Sequence, residues 1–395
     1  MKESFSFDRM PERKGSGCVK WDEKPPVEVE GDVIPLWVAD MDFPAAPCIR
    51  EAMQKRMDHG VFGYTCVPKA YDETVSRWFS RRHGWTPDPS WMIHTTGVVP
   101  AISAVIKALA EPGDEVVILT PVYNCFFSSI RNNGCVCSES PLATVPGPRY
   151  EIDFEDLERR CASGRARILL MCNPHNPAGR LWTRAELEKV ALIARRHGLI
   201  IVSDEIHCEL AAPGLSYTPM ALIDQSGCVT LCSPSKSFNI AGLQMATIIS
   251  DNPQWRERID RAININEICE VNPFAPVAGM AAYSERGEQW LDALNKYIYA
   301  NYDYLCGRLH AELPEFPIYE MEATYLAWVD CHALDMSSQL IEERLLREQR
   351  VWVNAGSMYG TDGFIRINLA TPRALLAEGT DRLVAGLRSM MELQQ

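Results

Sequence analysis

Short, nearly continuous apolar runs punctuate this chain, and longer segments with helical spacing separate them. The runs are Glu115–Leu119, Arg167–Cys172, Leu199–Ser203, Cys228–Cys232 and Ala246–Ser250, all rich in Val, Ile, Leu or Cys. Runs of that kind, bounded by turn residues, predict strands buried on both faces. Between them the period changes. Val98, Ile102, Val105, Ile106 and Leu109 recur on one face after the small-residue turn Thr95-Thr96-Gly97. A second helix is expected after Thr183, where Glu186 completes a capping box. Strand and helix in alternation predict an α/β fold with a mostly parallel sheet flanked by helices.

The pattern shifts beyond Ser284. A long helix is predicted over Glu288–Glu312, with Trp290, Leu294, Ile298, Tyr302 and Leu305 on one face and Pro314 and Pro317 ending it. Ala323–Val329 and Phe364–Leu369 read as strands of a smaller α+β domain. The stretch to about Pro35 is polar and rich in Pro and Gly, an extended arm with little structure of its own. Leu36–Pro44 is an apolar burst broken by Asp40 and Asp42. Either these carboxylates cap a helix beginning near Pro47, or Trp37 and its neighbours stand at the mouth of a pocket. The expected organisation is an N-terminal arm and small-domain segment (1–45), a large domain (46–284) and a C-terminal small domain (285–395).

Composition narrows the function classes. With 47% hydrophobic and 23% charged residues over 395 positions, the chain is an ordinary globular protein large enough for two domains. A net charge of −13 with no basic stripe argues against nucleic acid as a partner. The fourteen cysteines are scattered without a C-x-x-C pair, which argues against a metal knuckle. Cys172, Cys228 and Cys232 sit inside apolar runs and read as small core residues. The opening Met1-Lys2-Glu3-Ser4 carries no apolar signal segment, and no run approaches membrane-span length. A reducing cytoplasm is the expected home, with no membrane partner.

In parallel sheets, ligands bind beyond the carboxyl ends of the strands. Tyr123, Asn173, Asp204 and Lys236 all stand just past predicted strand ends. Lys236 lies in the hydroxyl-rich turn Ser233-Pro234-Ser235-Lys236-Ser237. It is either a solvated loop charge or an amine held for chemistry, since a partly desolvated lysine loses its proton readily and can form a Schiff base. The turn before the helix at Val98 offers free amides to an anion, or is a plain cap. Tyr64, in the aromatic loop Phe62-Gly63-Tyr64-Thr65, is a core aromatic or a hydroxyl offered to a ligand. Arg366 interrupts an apolar strand and needs a partner there.

Three of these stretches, Val202-Ser203-Asp204-Glu205-Ile206-His207, Asn173-Pro174-His175-Asn176-Pro177-Ala178-Gly179 and Ser233-Pro234-Ser235-Lys236, resemble the class I/II aminotransferase superfamily, pyridoxal 5'-phosphate enzymes of the aspartate-aminotransferase fold. Trp37–Phe43, Phe62-Gly63-Tyr64, Pro121–Asn124 and Phe238–Leu243 resemble its cystathionine β-lyase branch of carbon–sulfur lyases. The resemblance implies a covalent bond between Lys236 and the cofactor aldehyde, with Asp204 paired to the pyridine nitrogen. It implies that Tyr123 stacks on the ring, that Asn173 bonds its phenolic oxygen, and that His207 lies near the ring and Asp204. The amides of Val98 and Val99, the hydroxyl of Ser233 and Tyr64 of a partner subunit would hold the phosphate, with Ser235 a weaker candidate. Arg366 would clamp a substrate α-carboxylate, with Trp37, Asn173 and Tyr64 also facing substrate.

The implied activity is β-elimination from a small sulfur amino acid, cystathionine or another cysteine S-conjugate, in a homodimer with shared sites. One departure supports the lyase branch. Many aminotransferases place an arginine eight residues after the lysine, where this chain has Gln244. The alternatives are an aminotransferase, a regulatory or binding protein keeping the cofactor fold, and a purely structural subunit. Lys236 weighs against the last.

Overall fold

The apolar runs lie at the centre of a seven-stranded sheet. The computed structural model describes residues 5–268 and 270–393, so the opening Met1–Ser4 lies outside the described residues. In spatial order the strands are Met92–Thr95, Ala246–Ile249, Cys228–Cys232, Ile200–Asp204, Ala166–Cys172, Glu115–Thr120 and Val136–Pro141. Ala246–Ile249 runs antiparallel to both neighbours, and every other adjacent pair is parallel.

Both faces of the central strands are buried, which is why they read as continuous apolar runs. Val116, Ile118, Ile168, Leu170 and Val202 pack under the helices Val98–Leu109, Asn124–Asn132 and Pro253–Asn264. The alternate residues Val117, Leu119, Leu169, Met171 and Ile201 pack under Phe154–Cys161 and Arg184–His197 on the other side. Arg184–His197 opens on the expected capping box, with Thr183 Oγ1 accepting from the Glu186 amide and the Glu186 carboxylate from the Thr183 amide. The pattern did not predict Met92–Thr95 and Val136–Pro141. They are the two edges of the sheet, half covered and interleaved with polar residues.

The strand order fixes where a site can form. From Glu115–Thr120 the chain steps outward to Val136–Pro141, returns on the inner side at Ala166–Cys172, and then builds in the opposite direction. The reversal opens a crevice at the carboxyl ends of these strands.

The second region begins with the long helix Glu285–Glu312. It continues into an antiparallel sheet in which Phe364–Asn368 lies between Leu326–Asp330 and Asn354–Ala355. The start of the chain joins it, because Ile34–Pro35 pairs in parallel with Val351–Trp352. Among its described residues, the arm before that pairing forms one helical turn, Val19–Asp22.

Asp40 and Asp42 do not cap the next helix. Pro47–His59 has Ala46 at its N-cap and no side-chain bond there. Arg13 takes both carboxylates instead, and Lys20 Nζ lies 2.8 Å from Asp42 with both side chains fully buried. Removing one member of such a pair costs about 3–5 kcal/mol, since a bare charge is left inside.

Every described cysteine is free, with Cys172, Cys228 and Cys232 in the core. Among the described residues one trio, His83, Cys208 and Glu209, brings metal-ligand atoms together. The Glu209 carboxylate there already accepts from Trp78 Nε1, Arg82 Nε and His83 Nε2, so it is committed as an ion-pair hub. No helix among the described residues is long and apolar enough to cross a membrane.

Candidate active site

A cavity of about 540 Å³ occupies the crevice. The strand ends form one wall. Lys236 follows the buried strand Cys228–Cys232, and its Nζ donates to the Ala39 carbonyl at 2.7 Å. Burial, then the nearby charge of Arg366, brings the lysine down to about 8. Its amine is therefore part neutral near physiological pH. Asp204 ends its own strand and accepts from the Ile206 amide at 3.1 Å. Burial raises this carboxyl to about 7, against the pull of that amide. Tyr123, past the end of Glu115–Thr120, also lines the cavity, and burial raises its phenol. His207 lies on the same wall. Burial, then the charges of Lys236 and Arg366, pushes it down to about 3, so the imidazole is neutral.

The helix Val98–Leu109 points its start at the cavity, and Gly97, Val98 and Val99 line it. The first intrahelical bond there runs from the Ala101 amide to the Gly97 carbonyl, and no side chain caps the turn. Free amides and the positive end of the helix dipole make this corner a seat for an anion.

The opposite wall comes from the second region and the arm. Arg366, at the centre of Phe364–Asn368, donates to the Trp37 carbonyl at 3.0 Å and to Asn176 Oδ1 at 3.3 Å. Its guanidinium lies 4.8 Å from the Tyr359 ring centre. Asn354 also donates to the Trp37 carbonyl, and the Trp37 ring stacks on Trp352 with centres 4.0 Å apart. Trp37 thus stands at the cavity, as one of its two readings expected.

Asn173 and Ser233 lie off the cavity lining, and Tyr64 is outside it as a residue offered to a partner subunit would be. Asn173 is buried off the cavity wall, with its amide nitrogen donating to the Thr218 carbonyl. Asn176, three residues on in the same motif, is the asparagine on the wall and against Arg366. The motif carries two asparagines, and spacing alone does not choose between them. Ser233 is committed to its own turn, donating to the Met245 carbonyl at 2.6 Å and accepting from the Ser235 amide. Ser235 lines the cavity. Tyr64 is 98% exposed and stands outside its own chain's cavity. Asn354, Met358 and Tyr359 also line the cavity. Sequence reading missed them because they come from a turn-rich segment with no strand-end signature.

Buried polar atoms of the residues lining this space have no hydrogen-bond partner within the described protein, among them His207 Nδ1 and Arg366 Nε. A protein-only lining does not satisfy such atoms, and a polar ligand would. An amine near neutrality, a buried carboxyl, an anion seat and a carboxylate-type arginine converge on one volume. That set defines an enzyme working on an amino acid through a carbonyl-bearing, phosphorylated group.

The chain matches the aminotransferase class I and II family over residues 31–383 and belongs to that family. It is 39% identical over 388 residues to cystathionine beta-lyase PatB of Bacillus subtilis (strain 168), across 97% of this chain and 100% of that protein. It is 32% identical to Protein MalY of Escherichia coli (strain K12), across 98% and 100%. Among solved structures, cystalysin from Treponema denticola, which contains a pyridoxal 5'-phosphate cofactor, superposes with a TM-score of 0.94 at 36% identity, covering 98% of this chain and 100% of that one.

Proposed function

We propose that the protein is a pyridoxal 5'-phosphate-dependent carbon–sulfur β-lyase that converts a cysteine S-conjugate to a thiol, pyruvate and ammonia. The observation that carries this reading is the full-length match to a cystathionine β-lyase at 39% identity, with Lys236, Asp204 and Arg366 on one cavity. The residues present fit the cofactor. The uncapped helix start at Val98 and Val99, with the Ser235 hydroxyl, suits its phosphate. Asp204 would hold a proton on the pyridine nitrogen, Tyr123 would lie against the ring, and Asn176 rather than Asn173 would meet its phenolic oxygen.

When bound, the cofactor supplies an aldehyde that captures amines and a cationic ring that accepts an electron pair from the substrate Cα. Arg366 holds the α-carboxylate and so fixes which Cα bond faces Lys236. The Lys236 amine, close to neutrality, takes the Cα proton. The Cβ–S bond then breaks with its electron pair on sulfur, and the three-carbon enamine left behind hydrolyses to pyruvate and ammonia. His207, neutral and buried on the same wall, transfers no proton in this scheme.

Product analysis tests the activity. Pyruvate and thiol released from cystathionine or S-methylcysteine without an added keto acid is the expected result. Turnover that depends on a keto acid would make the protein an aminotransferase instead.

Two finer readings belong with it. The free cysteines support a reducing cytoplasm. The full exposure of Tyr64, beside exposed Val61 and Phe62, supports a homodimer in which Tyr64 completes the partner's phosphate seat. Mixing inactive Lys236→Ala chains with Tyr64→Ala chains should restore activity through one native site per mixed dimer. Confirmed subunit exchange with no return of activity would rule out shared sites.

A further inference from the structure

The loop from Trp37 to Met41 meets nearly everything that faces substrate. Its Trp37 carbonyl takes Arg366 and Asn354, and its Ala39 carbonyl takes Lys236 and the Tyr325 hydroxyl. Asn368 binds the Val38 and Asp40 carbonyls at 2.5 and 2.6 Å. Asn239, three residues after the lysine, grips Met41 through both its amide and its carbonyl. The loop is therefore the joint between the two walls, and a small displacement would move Arg366 and Lys236 relative to each other.

This joint is held from outside by the arm. Arg13 donates to the Met41 carbonyl and Asp42 at 2.7 Å each and to Asp40 at 2.6 Å. Lys20 Nζ and Trp21 Nε1 each reach Asp42 at 2.8 Å. The Trp37 indole donates back to the Lys20 carbonyl at 3.2 Å, so the arm also sets the aromatic at the cavity mouth. Asp40 Oδ1 is buried without a partner of its own, so Arg13 provides that carboxylate's compensation through its other oxygen. A surface arm needs no guanidinium bridging three groups of one loop unless the loop must be fixed.

We propose that the N-terminal arm is a strap that sets the geometry of the substrate clamp, with Arg13 and Lys20 as positioning residues acting through the Trp37–Asp42 loop. Neither side chain lines the cavity. Their contribution is the spacing between Arg366, which holds the carboxylate, and Lys236, which takes the proton. Weakening the strap loosens substrate binding before it affects the proton transfer, because Asn239 still holds the loop on the lysine side.

The proposal rests on the β-lyase reading for its kinetic arm only. In the holoenzyme, Arg13→Gln and Asp40→Asn are each expected to raise KM for S-methylcysteine about tenfold and to change kcat less than about threefold. Amide hydrogen exchange of residues 37–42 should accelerate in both variants, and Arg13→Lys should recover part of the KM. Wild-type KM together with wild-type exchange at 37–42 would overturn the proposal. So would a matched fall in kcat and melting temperature with KM unchanged, since that pattern belongs to a purely structural arm. If Arg13→Gln does not fold, Asp40→Asn decides, because it removes one of the two carboxylates that Arg13 pairs with and leaves the Lys20–Asp42 pair intact. If the wild type does not cleave cysteine S-conjugates, the lyase reading fails by itself. Exchange at 37–42, with the affinity of each variant for a non-reacting amino-acid analogue, then still decides the strap.

Discussion

The two walls of the cavity are made in different ways. Asp204 and Lys236 stand at or just past the ends of neighbouring parallel strands, so the sheet itself delivers them side by side. Arg366, Asn354 and Trp37 come from separated parts of the chain and meet through main-chain carbonyls and one stacked aromatic pair. The first wall carries charge states that burial has shifted, with Asp204 raised to about 7 and Lys236 lowered to about 8. The second carries a fixed cation whose direction depends on the loop it binds. On the β-lyase reading proposed above, chemistry would sit on the sheet and substrate recognition on the loop-bound wall. A substitution on the first wall should act on kcat, and one on the second on KM.

The largest effect expected here is at Asp204. Asp204→Asn keeps the shape and the bond to the Ile206 amide but, in the proposed mechanism, would remove the anionic partner of the ring nitrogen. We expect kcat to fall by about 10²–10³-fold, the scale of a preorganised electrostatic contact in a water-poor site. The melting temperature should hold or rise, because burial already disfavours the charged carboxylate. Steady-state kinetics and a thermal melt check both halves, and near-normal turnover would remove Asp204 from the mechanism.

Arg366 gives the contrasting case. Arg366→Lys keeps the charge and loses the planar fork that reaches Trp37 and Asn176 together. KM should rise by about 10- to 100-fold with a smaller change in kcat, because a point charge does not reproduce two-pronged carboxylate binding. A kcat loss larger than the KM change would mean that the second wall also takes part in the chemical step, and the contrast would fail.

The same contrast explains what could be read in advance. The central strands, the capping box at Thr183 and the positions of Asp204 and Lys236 were legible because continuous apolar runs and strand ends are local features. The edge strands were not, since half-covered strands mix polar and apolar residues. Arg366 was visible as a charge out of place in a strand. Which of Asn173 and Asn176, and of Ser233 and Ser235, lines the cavity depends on how a turn directs adjacent side chains, which no period encodes. The pairing of Asp40 and Asp42 with Arg13 and Lys20 joins distant positions in a polar arm, so local capping was the only pattern available for them.

The smallest predicted effect tests whether the walls are electrically coupled. Once the protein is stripped of cofactor, uptake of pyridoxal phosphate needs the neutral Lys236 amine, so its rate should rise with pH through about 8 and then level off. The sign follows from the depressed value. The folded chain loses this proton near 8 and the unfolded chain near 10.5, so between those values the unfolded state binds more protons and stability rises with pH. Keeping the ammonium charged inside costs about 3 kcal/mol below that window. Burial is the larger cause and the charge of Arg366 the next. Arg366→Gln removes that charge and should move the uptake midpoint upward by about one pH unit or less, while Arg366→Lys should leave it nearly in place. His207, neutral down to about 3, should add no step near its ordinary value. Stopped-flow absorbance across pH reads the midpoint directly. An unchanged midpoint in Arg366→Gln would show that the second wall positions substrate without tuning the lysine, and a downward shift would reverse the electrostatic argument.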